Sequence, residues 1–137
     1  MSHTIFSYPL TVREHHLDTF GHMNNSVYLQ ILEEARWELV NQNGYGLNKI
    51  KECGKGPVIL EIKLLFSREL LLRDHITIHT QLASYEGKIA ILKQWITNNA
   101  GKTCCEAEFK IALFDTLQRK IIKPTPEWLH AIGSKSI

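Results

Sequence analysis

Between Asp18 and Tyr28 the chain reads Asp-Thr-Phe-Gly-His-Met-Asn-Asn-Ser-Val-Tyr, and from about Asn25 the spacing of apolar residues becomes helical. A carboxylate on a polar turn therefore stands a few residues ahead of a helix N-terminus. The first amides of a helix have no intrahelical acceptor, and the macrodipole adds partial positive charge there. Such an end is suited to a developing oxyanion, and Asp18 can sit across the same cavity. An oxyanion donor beside a base or nucleophile is what hydrolytic acyl transfer requires.

The same residues also have plainer uses. Asp18, Asn24 and Asn25 suit turns and caps, His22 suits a structural hydrogen bond, and Tyr28 lies on an apolar stripe that packs in a core. Glu33 and Glu34 offer carboxylates on the helix itself, but their polar strip favours exposure or pairing with Arg36. Arg36 falls towards the apolar side, where its charge asks for a structural ion pair. His15, His16 and His22 match no zinc spacing, so no metal is expected. No P-loop, dinucleotide-binding glycine run or serine nucleophile elbow occurs, and no cofactor is expected.

The elements that position this segment follow from periodicity. Ile5 to about Arg13 reads as a strand. Tyr28, Ile31, Leu32, Ala35 and Leu39 form one stripe of a helix from about Asn25 to Asn41. Val27, Leu29 and Val40 widen the stripe, so the helix should be wrapped by other structure, and Asn43-Gly44 should stop it. Beyond it the period is two. Val58, Leu60, Ile62, Leu64 and Phe66 make one strand face, Ile76–Leu82 and Ile89–Ile96 are further strands, and Cys105 to Leu113 alternate in a last one. Turns are expected near Tyr85–Lys88 and at Asn98–Gly101, and Pro126 should open a short closing helix turn. The order of strand, long helix and four antiparallel strands is α+β, and the five-stranded sheet must curl to cover its one helix. Ile89–Leu92 is apolar on both faces, which implies cover from a second subunit and a homo-oligomer.

Size and charge set the outer limits. The 137 residues make one domain, residues 1–137, burying about 68% of the unfolded chain's surface. At 44% hydrophobic and 22% charged residues the chain is not disordered. A net charge of +2 makes no field that asks for nucleic acid. The start, MSHTIFSYPL, lacks the pattern of a secretory signal, and no run approaches the ~20 apolar residues of a membrane span. Cys53, Cys104 and Cys105 form no CxxC pair and are expected as reduced thiols in a cytoplasmic protein.

The run DxFGHxNNxxY, followed after four residues by EEARW, resembles the signature of hotdog-fold acyl-CoA thioesterases of the 4-hydroxybenzoyl-CoA thioesterase-like group, above all its long-chain acyl-CoA branch. The resemblance extends over nearly the whole chain, because the element order also fits a sheet curled around one long helix. It implies Asp18 as the catalytic aspartate, acting as base or nucleophile. It also implies Gly21 as the glycine that turns the backbone into the helix, and Asn25 as the position whose backbone N–H faces the thioester carbonyl. His22, Asn24 and Tyr28 would shape the site. His16 stands where relatives often carry a second acid, which changes the charge around Asp18. Active sites of this group lie at a subunit interface, so a homodimer or homotetramer is implied, with acyl-CoA as substrate, no nucleic-acid or membrane partner, and a place in fatty acid metabolism. Arg68, Arg73, Lys88 and Lys93 are candidates for the basic rim that coenzyme A phosphates need. Two other functions stay open: a thioesterase acting on acyl-acyl-carrier protein, and a non-catalytic module that binds acyl thioesters.

Overall fold

The structure is a computed structural model that describes residues 3–135; Met1 and Ser2, the start of the segment read for a leader, lie outside it. Strand β1 (Ile5–Thr11) leads through a turn of 3-10 helix at Glu14–His16 to helix α1 (Asn25–Gln42). Helix α2 (Leu47–Cys53) and strand β2 (Lys55–Phe66) come next, then β3 (His75–Glu86), β4 (Ile89–Thr97), β5 (Thr103–Asp115), β6 (Lys120–Ile122) and helix α3 (Pro126–Ala131). All pairings are antiparallel, in the order β1-β3-β4-β5-β2, with β6 added on β5. The expected α+β hotdog architecture is present, with six strands in place of five. Strand β6 pairs only Leu113–Asp115, past Ile111 where the pairing of β4 with β5 ends.

Helix α1 buries Val27, Tyr28, Ile31, Leu32, Ala35, Leu39 and Val40. All of these except Leu39 join Ile78, Leu82, Leu92, Ile96, Phe109 and Ile111 of the sheet in one core. Leu29, expected to widen the buried stripe, remains 37% exposed. The helix ends at Asn43, whose Nδ2 donates to Ala131 O at 3.1 Å, tying it to α3. Helix α2 escaped the periodicity because none of its seven residues is fully buried and only Ile50 and Cys53 pack partly against the core. It starts at Gly46 and is stopped by Gly54, so two glycines define it rather than an apolar stripe.

Strand β2 departs from simple alternation. Its register against β5 slips between Ile59 and Glu61, a bulge that leaves Leu60 without a partner and inverts the phase of the residues after it. Residues directly opposite across an antiparallel pair share a face. Pro57 and Ile59 face Leu113 and Ile111, and Ile62, Leu64 and Phe66 face Phe109, Ala107 and Cys105, all buried core positions. The inner face of β2 is therefore Pro57, Ile59, Ile62, Leu64 and Phe66. Val58 and Leu60, assigned to that face by period two, do not belong to it.

Candidate active site

Residues 17–23 form a tight loop ahead of α1. Leu17 and Met23 bridge each other, and His22 bridges Leu71. The Asp18 amide donates to His22 O at 2.8 Å and the Gly21 amide to Asp18 O at 3.2 Å. Gly21 turns the chain at φ +81°, a left-handed conformation that a Cβ would strain. The Asp18 carboxylate, partly buried, uses one oxygen to hold this loop: Oδ1 accepts the amides of Phe20 at 2.9 Å and His22 at 3.2 Å. Among the described residues Oδ2 has no hydrogen bond. The capping and chemical roles of Asp18 are thus divided between its two oxygens.

The helix start leaves one amide over. Asn24 is the N-cap: its Oδ1 accepts the Ser26 amide at 3.0 Å and the Ser26 hydroxyl at 2.9 Å, and its own amide donates to His16 O. The Val27 amide donates to Asn24 O at 2.9 Å. Among the described residues the Asn25 amide, between them, has no acceptor. Asp18 and Asn25 line one open cleft of about 510 Å³ with Tyr28, Phe66, Arg68 and Glu69.

Of the other expected site residues, His22 reaches into the cleft and pairs with Glu69, Nε2 to Oε2 2.9 Å, both half-exposed. Tyr28 does two jobs at once. It is 5% exposed, packs edge-on against Phe66 at 4.8 Å, and its ring still forms a cleft wall. Burial pushes its hydroxyl up to about 12, so it stays a neutral phenol. His16 is buried; its Nδ1 accepts the Arg13 amide at 2.9 Å. Burial and the neighbouring His15 lower its pKa, favouring the neutral ring, and it lines a separate hollow with Glu34 rather than the Asp18 cleft.

The helix carboxylates lie elsewhere. Glu34 accepts the Tyr8 hydroxyl on the side facing β1, and that bond is the main cause that raises Tyr8 to about 12. Glu33 borders a separate recess further along α1. Neither lines the Asp18 cleft. Arg36 has no ion pair within 4 Å among the described residues, against expectation; it donates from Nη1 to Gln94 Oε1 at 2.9 Å and lies over the Phe109 ring at 4.3 Å. Of the basic candidates only Arg68 lines the cleft. Arg73 is engaged by Glu14 through both carboxylate oxygens, Lys93 sits with Lys63 and Trp95 in another hollow of the sheet, and Lys88 lies in the β3–β4 turn. Glu69 and Phe66 were missed because they reach the cleft from the end of β2 and the loop after it, forty residues beyond the helix start. Gln94 left a signal: it occupies the inward phase of Ala90, Leu92 and Ile96, where a polar residue is out of place.

Comparisons with known proteins bear on the family and the fold. A protein-family model described as the thioesterase-like superfamily matches residues 12–132. The long-chain acyl-CoA thioesterase FadM of Escherichia coli (strain K12) is 32% identical over 114 residues, covering 82% of this chain and 86% of that protein. Among solved structures, the YbaW probable thioesterase from Escherichia coli superposes with a TM-score of 0.81 at 29% identity, over 91% of this chain and 94% of that one. A Staphylococcus aureus protein solved in complex with CoA shares the fold at a TM-score of 0.88 and 19% identity, over 100% of this chain and 90% of that one.

Proposed function

The chain belongs to the thioesterase-like superfamily, and from that membership we propose that it hydrolyses acyl-CoA to a free carboxylic acid and coenzyme A at the Asp18–Asn25 cleft. The observation that carries this is the pairing of two leftovers: one unengaged oxygen of Asp18 and one uncapped amide at Asn25, in the same cleft. The Asn25 N–H and the field of α1 polarise the thioester carbonyl. Asp18 Oδ2 takes a proton from a water that attacks the carbonyl carbon, or attacks that carbon itself to form a mixed anhydride, which a water then hydrolyses to free the acid and restore the carboxylate. The carbon–sulfur bond breaks and the thiolate leaves with the electron pair, to be protonated from solvent. His22, Asn24 and Gly21 hold the loop and cap in this geometry, and no metal or redox cofactor enters the step.

The acyl chain lies in the crevice between α1 and the inner face of β2, over Tyr28, Phe66, Leu64 and Ile62, and the CoA end passes Arg68 at the mouth. Identity to FadM supports an acyl-CoA rather than another ester as substrate. The same acyl group presented on coenzyme A and on acyl-carrier protein tests this choice. Faster thiol release from coenzyme A is expected; preference for the carrier would overturn it, and tight binding of both with no release would mark a non-catalytic module.

The enzyme works as a homodimer built on β2. This twelve-residue strand is the last of the main sheet and carries five large apolar side chains exposed between 42% and 53%: Ile59, Leu60, Ile62, Leu65 and Phe66. An open apolar edge of that length seeks a partner, and two copies related by a dyad satisfy each other. Phe66 belongs both to this edge and to the cleft wall, so the second subunit closes the site. Leu65→Lys, on the face of β2 away from the acyl chain, should give a monomer by sedimentation with thiol release lost; a fully active monomeric variant would contradict this. Among the described residues no helix is long and apolar enough to cross a membrane. The free thiols Cys53, Cys104 and Cys105 suit a reducing compartment, the cytoplasm.

A further inference from the structure

Further along α1 from the Asp18–Asn25 cleft lies a second, separate hollow that thioester cleavage does not use. It is a recess of about 100 Å³ enclosed by the C-terminal half of α1, the start of β2 and α3. Its walls are Trp37, Val40, Pro57, Ile59 and Trp128, yet Arg36 also opens into it. A cation in an apolar pocket needs a reason, because it loses hydration without gaining a counter-charge.

The buried neighbours of Arg36 hold it in place, and the exposed Glu33 of its own helix attracts it through space without a direct ion pair. Gln94 is 1% exposed, and its Nε2 donates to Leu32 O at 3.0 Å and to Thr80 Oγ1 at 2.9 Å. That fixes the amide so that its oxygen faces the guanidinium. The Phe109 ring supports the other side. Both partners are uncharged. A guanidinium carries five donors, and one hydrogen bond is formed among the described residues. The other donors are not sealed in the core, since the buried side-chain polar atoms left unpartnered there are Tyr85 Oη and Trp128 Nε1. Burial lowers the Arg36 pKa to about 10, which still leaves it charged at neutral pH. The acid at the recess is Glu33, which is solvent-exposed and forms no ion pair with Arg36 among the described residues.

We propose that the Arg36 recess receives a carboxylate carried at the far end of the acyl chain, so that the site favours ω-carboxylated acyl thioesters over plain ones of equal length. The planar fork of an arginine matches a carboxylate with two parallel hydrogen bonds, and the apolar walls take the methylenes beside it. The distance fits. Arg36 follows Asn25 by eleven residues, which at 1.5 Å each is about 16 Å along α1. An extended chain advances about 1.2 Å per bond, judging from three backbone bonds in ~3.6 Å, so roughly fourteen bonds span the gap. The apolar inner face of β2 runs alongside, from Phe66 at the cleft to Ile59 at the recess.

This rests on the Asp18–Asn25 cleft being the cleavage site, and the test separates the two claims. The quantity read is the ratio of kcat/KM for hexadecanedioyl-CoA, the mono-thioester, to that for palmitoyl-CoA. The wild type should give a ratio of about ten; decanedioyl-CoA, too short to reach Arg36, should show no advantage over decanoyl-CoA. Arg36→Met should bring the hexadecanedioyl ratio to one or below, and Glu33→Gln, which removes the competing charge, should raise it severalfold. A wild-type ratio at or below one overturns the inference and leaves the cleavage site standing. If neither thioester is cleaved, calorimetric binding of hexadecanedioate against hexadecanoate decides it alone: tighter binding of the diacid, lost in Arg36→Met, upholds the recess, and equal binding refutes it.

Discussion

Asp18→Asn lowers kcat for acyl-CoA hydrolysis by about 10²–10⁴-fold, the range associated with losing a positioned base, while KM and the thermal midpoint stay near wild type. The separation of effects comes from the two oxygens. An asparagine keeps Oδ1, so the amides of Phe20 and His22 retain their acceptor and the loop keeps its shape. The second position is the one that changes: an amide NH₂ replaces the unengaged oxygen and can neither attack nor take a proton. Steady-state thiol release and a melting curve on the same preparation check both halves. A folded Asp18→Asn protein with wild-type turnover would remove Asp18 from the chemistry.

Asn25→Pro is the companion experiment for the amide, and the local geometry makes it clean. Asn25 is the first helical residue, where proline is tolerated because no intrahelical hydrogen bond is lost. The residue before a proline must be extended, and Asn24 already is, at φ −62° and ψ 138°. The substitution therefore deletes one N–H and disturbs little else. A fall of about 10²–10³-fold in kcat is expected, as for loss of one oxyanion donor, with the fold intact. Asn25→Ala, which keeps the N–H and removes only the side chain, should remain within a few-fold of wild type. If the proline variant stays active, the carbonyl is polarised by something else.

The sequence carried the helix start and the glycine turn before it, because both are local: a cap, a glycine turn and a carboxylate within eight residues. It carried the strands wherever one face met the core, as in β3, β4 and β5. It failed where structure depends on partners remote in the chain. The β2 bulge is set by pairing with β5, and alternation through Leu60 hid it. The Glu69–His22 pair and the Phe66 wall join segments some forty residues apart. Arg36 was expected to meet a carboxylate from its own helix; it meets Gln94 and Phe109 from two strands instead, which no helical spacing reveals. The sixth strand and α2 were too short for any period to register.

The most direct test of the central claim is a single-turnover experiment, with protein in excess over a long-chain acyl-CoA and the mixture quenched over time. With wild type, bound thioester should convert to free acid and coenzyme A in one first-order phase. With Asp18→Asn, the thioester should remain bound and intact over the same period. If the wild type holds its thioester unchanged, or if the two proteins convert it at the same rate, the Asp18 carboxylate and the Asn25 amide are not the machinery that breaks the carbon–sulfur bond.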